Sequence, residues 1–200
     1  MSDITGNPAK PTGPAGEKML ERMNASHKPL RDWGLSFVNW KEGMYILDVG
    51  CGGGATIRDM LGYSANSHIN GIDYSPISVK MACQTNQKDL YKQVFISQGD
   101  VTDLPYGDNL YDLVTAVETI YFWPDLSKAL QEIHRVLKPG GLFLILCEGS
   151  NPNTPRPNID GHFVVYEPQT LKAQLKAEGF HRTAFEKGQG EYIAVWGCKQ

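Results

Sequence analysis

Apolar and polar residues change rhythm several times along the chain, and each change marks an element. From Glu17 to Trp40 the apolar positions keep helical spacing: Met19, Leu20 and Met23, then Leu30, Trp33, Leu35, Phe37 and Val38. Pro29 suits the first turn of a second helix, where its missing N–H removes nothing, so two short helices should meet around Asn24–Lys28. After Gly43 the run Met44–Val49 is short, apolar and closed by glycines, the pattern of a buried strand. His68–Asp73, Val94–Ser97, Tyr111–Val117 and Leu142–Cys147 repeat that pattern, and Phe180–Glu186 and Tyr192–Cys198 surround Gly188-Gln-Gly190 as a terminal hairpin. Between the strands lie helical stretches: one beginning at Thr56–Leu61, then Pro76–Leu90, Leu126–Leu137 and Gln169–Glu178. Lys138-Pro-Gly-Gly141 reads as the stop after the third of these. Strands alternating with helices predict a mostly parallel sheet covered on both faces, a three-layer α/β sandwich of seven strands.

Length and composition narrow the picture. Two hundred residues fit one domain with a core that needs no staples. Residues 1–16, rich in Pro and Gly, read as a flexible tail, 17–42 as a helical cap and 43–200 as the domain that the cap joins. A net charge of −3 argues against nucleic acid as the main partner, and no basic stripe with interleaved aromatics appears. Cys51, Cys83, Cys147 and Cys198 form no C-x-x-C pair, which points to reduced thiols and no metal site. No apolar run approaches the ~20 residues of a membrane helix, so the expectation is a soluble, cytoplasmic chain without membrane insertion.

The candidate chemistry lies in Ile46-Leu-Asp48-Val-Gly50-Cys51-Gly52-Gly53-Gly54-Ala-Thr56. A strand running into glycines and then a helix lets backbone N–H groups approach a ligand closely. Gly50-x-Gly52-x-x-Ala55 also fits a relaxed dinucleotide fingerprint. Asp48 tells against that reading, since a carboxylate there would repel a pyrophosphate and suit a cationic amino-acid end instead. Further carboxylates, Asp73 and Asp100, follow at the ends of the next two strands, where open α/β sheets bind ligands.

The segments ILDVGCGGG, GIDYSP, GDVTDLPYGDNLYDLV and LKPGG, in that order, make Ile46–Leu144 resemble the class I S-adenosylmethionine-dependent methyltransferases. The likeness is strongest to the small-molecule type related to the ubiquinone and menaquinone C-methylases. It implies a Rossmann-like fold with S-adenosylmethionine as cofactor. It also implies that Asp48, Gly50, Cys51 and Gly52 serve the methionine end. Asp73 would then hold the ribose hydroxyls, Tyr74 lie against adenine, Asp100 and Val101 read the adenine edge, and Glu118 stand near the cofactor's amino group.

The acceptor side is read from two aromatic-bearing segments, Met23–Gly34 and Glu118–Asp125. His27 in the first is a candidate base. Tyr121 in the second is a candidate acceptor-facing residue, and Arg156, His162 and Tyr166 in or beside the long loop after Cys147 are secondary candidates. The expected partner is a small-molecule methyl acceptor. The competing readings are a cofactor-binding regulatory protein without turnover, a nicotinamide-dependent oxidoreductase, and an enzyme acting on protein or RNA.

Overall fold

The structure is a computed structural model that describes residues 7–8, 10–154 and 163–200. The strands are β1 (Tyr45–Val49), β2 (His68–Asp73), β3 (Val94–Gln98), β4 (Tyr111–Val117), β5 (Leu137–Cys147), β6 (His181–Lys187) and β7 (Ile193–Cys198). They form one seven-stranded sheet in the order β3-β2-β1-β4-β5-β7-β6. Strands β1 to β5 pair in parallel, and β7 runs antiparallel between β5 and β6. The helices are α1 (Gly13–Ser26), α2 (Lys28–Leu35), α3 (Ala55–Tyr63), α4 (Pro76–Thr85), α5 (Leu126–Val136) and α6 (Pro168–Ala177), with a 3-10 turn at Ile120–Phe122.

Period-two alternation along the strands builds two apolar layers. Leu47, Val49, Val114, Phe143 and Ile145 pack with Leu130 and Ile133 of α5 and Leu171 and Leu175 of α6. Ile46, Ile69, Leu113, Leu144 and Leu146 face the other way, onto Leu30 and Leu35 of α2, Ile57 and Met60 of α3 and Ala82 of α4. Caps fix where helices begin: Ser75 Oγ accepts from the Ser78 N–H (3.4 Å), and Asp125 Oδ1 from the Lys128 N–H (3.0 Å). The three-layer α/β sandwich read from the sequence is the observed one.

Among the boundaries that differ from the sequence reading, three have a visible cause. Helix α1 starts at Gly13, before Glu17, because the chain is already docked there. Pro11 is buried, and its carbonyl accepts from the Ser75 hydroxyl (3.2 Å). The part of the expected tail from Pro11 onward is therefore packed, while residues 1–6 and 9 lie outside the described residues. Helix α4 ends at Thr85 rather than Leu90, where Asn86 turns its amide onto the carbonyls of Gly54 (3.0 Å) and Ala82 (2.9 Å). Strand β5 begins directly after α5, at Leu137. Leu137 pairs with Tyr111, a bulge follows, and Lys138 Nζ grips both oxygens of Asp112 at 2.8 Å.

Candidate active site

Beyond β1 the backbone turns through Gly50, Gly52 and Gly54 at φ of +69°, +52° and +77°, a region costly for side chains. At Gly50 a Cβ would also lie 2.0 Å from Thr119 Oγ1, so only glycine fits. The N–H groups of Gly50 and Cys51 donate to the carbonyl of Ile72 (2.8 and 3.1 Å). Asp73, ending β2, accepts from the Gly52 N–H through Oδ2 (2.9 Å) and from the Ser75 N–H through Oδ1 (2.8 Å). One carboxylate thus ties the glycine turn to the neighbouring strand end.

These groups open into a cavity of about 380 Å³ at the carboxyl ends of the strands, where the strand order reverses between β1 and β4. Gly50, Cys51, Gly52 and Asp73 line it with Tyr74. Asp100, Val101, Glu118 and His27 complete the set of expected residues that reach it. Helix α1 covers the opening with Leu20, Met23 and Asn24, and Thr119, Phe122 and Trp123 form a side wall. Asn24 Nδ2 donates to the carbonyl of Gly53 (3.2 Å), which fastens α1 to the turn. Asp100 Oδ1 accepts from the backbone N–H (2.8 Å) and hydroxyl (2.9 Å) of Thr102. Tyr74 is exposed, with Lys10 Nζ 5.1 Å from its ring centroid.

Two expected site residues do not line the cavity. Asp48 alternates onto the α3 side of the sheet, where it is buried. Its Oδ1 accepts from Thr115 Oγ1 (2.7 Å), and its Oδ2 is buried without a hydrogen-bond partner. Tyr121, expected to face the acceptor, is turned inward by the 3-10 turn. Its hydroxyl donates to Glu118 Oε1 (2.9 Å) and accepts from the Gly149 N–H (2.9 Å), while its ring lies 5.2 Å from that of Phe163. Phe122 and Trp123 reach the cavity in its place. Tyr166 packs against the apolar layer beside α6, and Arg156 and His162 lie outside the described residues.

Burial sets the protonation of the site. It raises Asp73 above the usual carboxylate range and pushes Asp48 up to about 7. Burial, and then the Arg31 guanidinium, push His27 down to about 4, so its imidazole is neutral at pH 7. The thiol of Cys51 is raised by burial and stays protonated. His27 Nε2 lies 3.9 Å from Glu118 Oε2 and 3.9 Å from Glu148 Oε2. Glu148, just past β5, was not singled out from the sequence; the adjacency of β4 and β5 that brings it beside Glu118 is a tertiary fact.

Residues 47–145 match the family model described as a methyltransferase domain. The chain is 33% identical over 142 residues to demethylmenaquinone methyltransferase of Lactiplantibacillus plantarum, covering 68% of this chain and 60% of that one. It is 38% identical over 104 residues to sterol 24-C-methyltransferase ERG6B of Gibberella zeae, covering 52% of this chain and 27% of that one. The chain therefore spans less than two thirds of the length of these curated relatives. A crystal structure of a SAM-dependent methyltransferase from Aquifex aeolicus shares the fold at a TM-score of 0.77 and 20% identity, covering 90% of this chain and 97% of that one. Residues 47–145 thus carry a methyltransferase domain.

The residues of the site fit S-adenosylmethionine, the cofactor that the sequence resemblance implies. The turn at Gly50 has no room for a side chain, so backbone alone meets whatever lies against it. Asp73 spends one accepting direction on the Gly52 N–H and one on the Ser75 N–H, and a carboxylate oxygen has a second for a hydroxyl. Asp73, Asp100 and Glu118 give the cavity an acidic lining that suits a cationic ligand. Among the described residues no helix is long and apolar enough to cross a membrane.

Proposed function

We propose that this chain transfers a methyl group from S-adenosylmethionine to a small molecule held in the cavity under α1. The observation that carries the reading is the convergence of the glycine turn, Asp73, Asp100 and Glu118 on one enclosed space beside His27, Phe122 and Trp123. Gly50, Cys51 and Gly52 would present backbone to the methionine end. Asp73 would accept from the ribose hydroxyls, with Tyr74 against the adenine, and Asp100 with the Val101 N–H would meet the adenine edge. Asp48, beneath the turn, acts through the turn rather than by contact. Tyr121 is a positioning residue, since its hydroxyl holds Glu118.

When bound, the cofactor would supply a methyl group carried on a cationic sulfur, to an acceptor atom that gives up its own proton. What the chain contributes is alignment and exclusion of water. Met23 and Leu20 of α1 close the space from above, and Phe122 and Trp123 give the acceptor an apolar wall. His27 stands on the acceptor side of the cavity.

A panel of thiols, phenols and amines tests the reading, with release of S-adenosylhomocysteine as the signal. Release above the acceptor-free rate supports it. Tight binding of S-adenosylhomocysteine with no release for any acceptor would favour a regulatory protein without turnover. Tight NAD binding with none of S-adenosylhomocysteine would overturn it.

A further inference from the structure

His27 stands at the break between α1 and α2, Glu118 ends β4, and Glu148 follows β5. Three elements distant in sequence thus bring an imidazole and two carboxylates to one place, with one ligand atom from each within 4.8 Å of the others. The two histidine–carboxylate separations, 3.9 Å each, are too long for hydrogen bonds. Ligand atoms bound to one ion at about 2.0–2.2 Å stand about 3–3.5 Å apart, so an ion would be seated by each of the three atoms moving inward by roughly half an ångström. Glu148 is partly exposed, and the Tyr192 hydroxyl bonds its carboxylate beside the cluster.

The arrangement is braced from behind. Glu118 Oε1 accepts from the Tyr121 hydroxyl and from the Glu148 backbone N–H, which aims Oε2 toward His27. Tyr121 is itself held by the Gly149 N–H. Outer partners of this kind orient the ligands of metal sites.

We infer that His27, Glu118 and Glu148 form a site for a divalent first-row cation such as Mn²⁺ or Zn²⁺, open toward the acceptor side of the cavity. One imidazole with two carboxylates suits these ions better than Mg²⁺ or Ca²⁺, which favour all-oxygen shells. Three protein ligands with a remaining open position are the pattern of a catalytic rather than a structural site. The inferred role rests on the methyltransferase reading above. The ion would bind an acceptor hydroxyl or thiol and promote loss of its proton to solvent, the same proton released in the transfer.

Mn²⁺ is the probe, because the free thiols favour softer ions. Metal-stripped protein is titrated while the free-ion electron paramagnetic resonance signal is followed, and S-adenosylhomocysteine binding is measured in parallel by calorimetry. The expected result is one bound equivalent, with His27→Ala and Glu148→Gln each weakening it at least about tenfold, and Tyr121→Phe weakening it less. Melting curves establish that each variant is folded, and Glu148→Gln, at a partly exposed position, serves if His27→Ala is not. No stoichiometric binding, or binding unchanged in a folded Glu148→Gln, would overturn the ion site. If S-adenosylhomocysteine still binds in that case, the methyltransferase reading stands without the ion; failure of wild type to bind it would overturn that reading instead.

Discussion

Asp48 sends its carboxyl into the interior, where Thr115 reaches one oxygen and no donor reaches the other. Burial lifts it from 3.8 to about 7. A raised carboxyl holds, in the folded state, a proton that the unfolded chain has already lost between pH ~4 and ~7, so stability falls as pH rises through that window. Above it the penalty is constant. Asp48→Asn keeps the acceptor for Thr115 and removes the titration. In ligand-free protein its stability relative to wild type should therefore improve from pH 4 to pH 8, by up to about 4 kcal/mol for a shift of this size. Denaturant midpoints of both proteins across that range measure it, and a constant difference would contradict the burial argument. Asp73 makes the opposite case, with both oxygens bonded to backbone N–H groups and facing the cavity. Asp73→Ala should weaken S-adenosylhomocysteine binding by about 1.5–3 kcal/mol, roughly 10- to 150-fold, through loss of charge-assisted hydrogen bonds. Unchanged affinity in the folded variant would remove the ribose assignment.

At the scale of elements, α1 is the helix that lines the cavity from outside the sheet, through Leu20, Met23 and Asn24. It is fastened by Asn24 to the Gly53 carbonyl, and just before its first turn by the Pro11 carbonyl to the Ser75 hydroxyl. The Lys80–Glu17 ion pair adds little, because both groups are exposed. Asn24→Ala removes one side-chain hydrogen bond worth about 0.5–1.5 kcal/mol, so calorimetry should find S-adenosylhomocysteine bound about 2- to 12-fold more weakly. Affinity equal to wild type would mean that α1 covers the cavity without contributing to it. The ties that hold α1 were not legible in the sequence, since residues 1–16 look locally like a tail and the contact of Pro11 with Ser75 is a tertiary one. Strand ends read far better. β2 and β4 keep the bounds read from their apolar runs, and Asp73, Asp100 and Glu118 fell at the cavity because strand ends of a parallel sheet share one side. Tyr121 was misread because three consecutive aromatics carry no period, and the direction of each is set by a short 3-10 turn that no local signal marks. The early start of β5 was hidden for a related reason: Leu137 joins the sheet through Tyr111, a partner distant in sequence.

The whole molecule offers the most direct check on which cofactor the cavity accepts. A ligand that binds only the folded state stabilises it by an amount set by its concentration over Kd, about 2.7 kcal/mol at one hundred times Kd. For a domain of roughly this size each kcal/mol moves Tm by about 2–4 °C, so saturating S-adenosylhomocysteine should raise Tm by about 5–11 °C. NAD should not. Its pyrophosphate would have to sit against the glycine turn beside Asp73, with Asp100 and Glu118 on the same lining, and an acidic cavity repels that dianion. Among the described residues at the cavity Arg31 is committed to Asp59 at 2.8 Å and Lys10 lies over the ring of Tyr74, and a chelator in the melts keeps any ion from adding positive charge at Glu118. Parallel melts with each ligand across a concentration series decide the matter. A shift that grows with NAD and is flat with S-adenosylhomocysteine would mean that the acidic strand ends do not select the cationic cofactor, and the assignment of the cavity would fall with them.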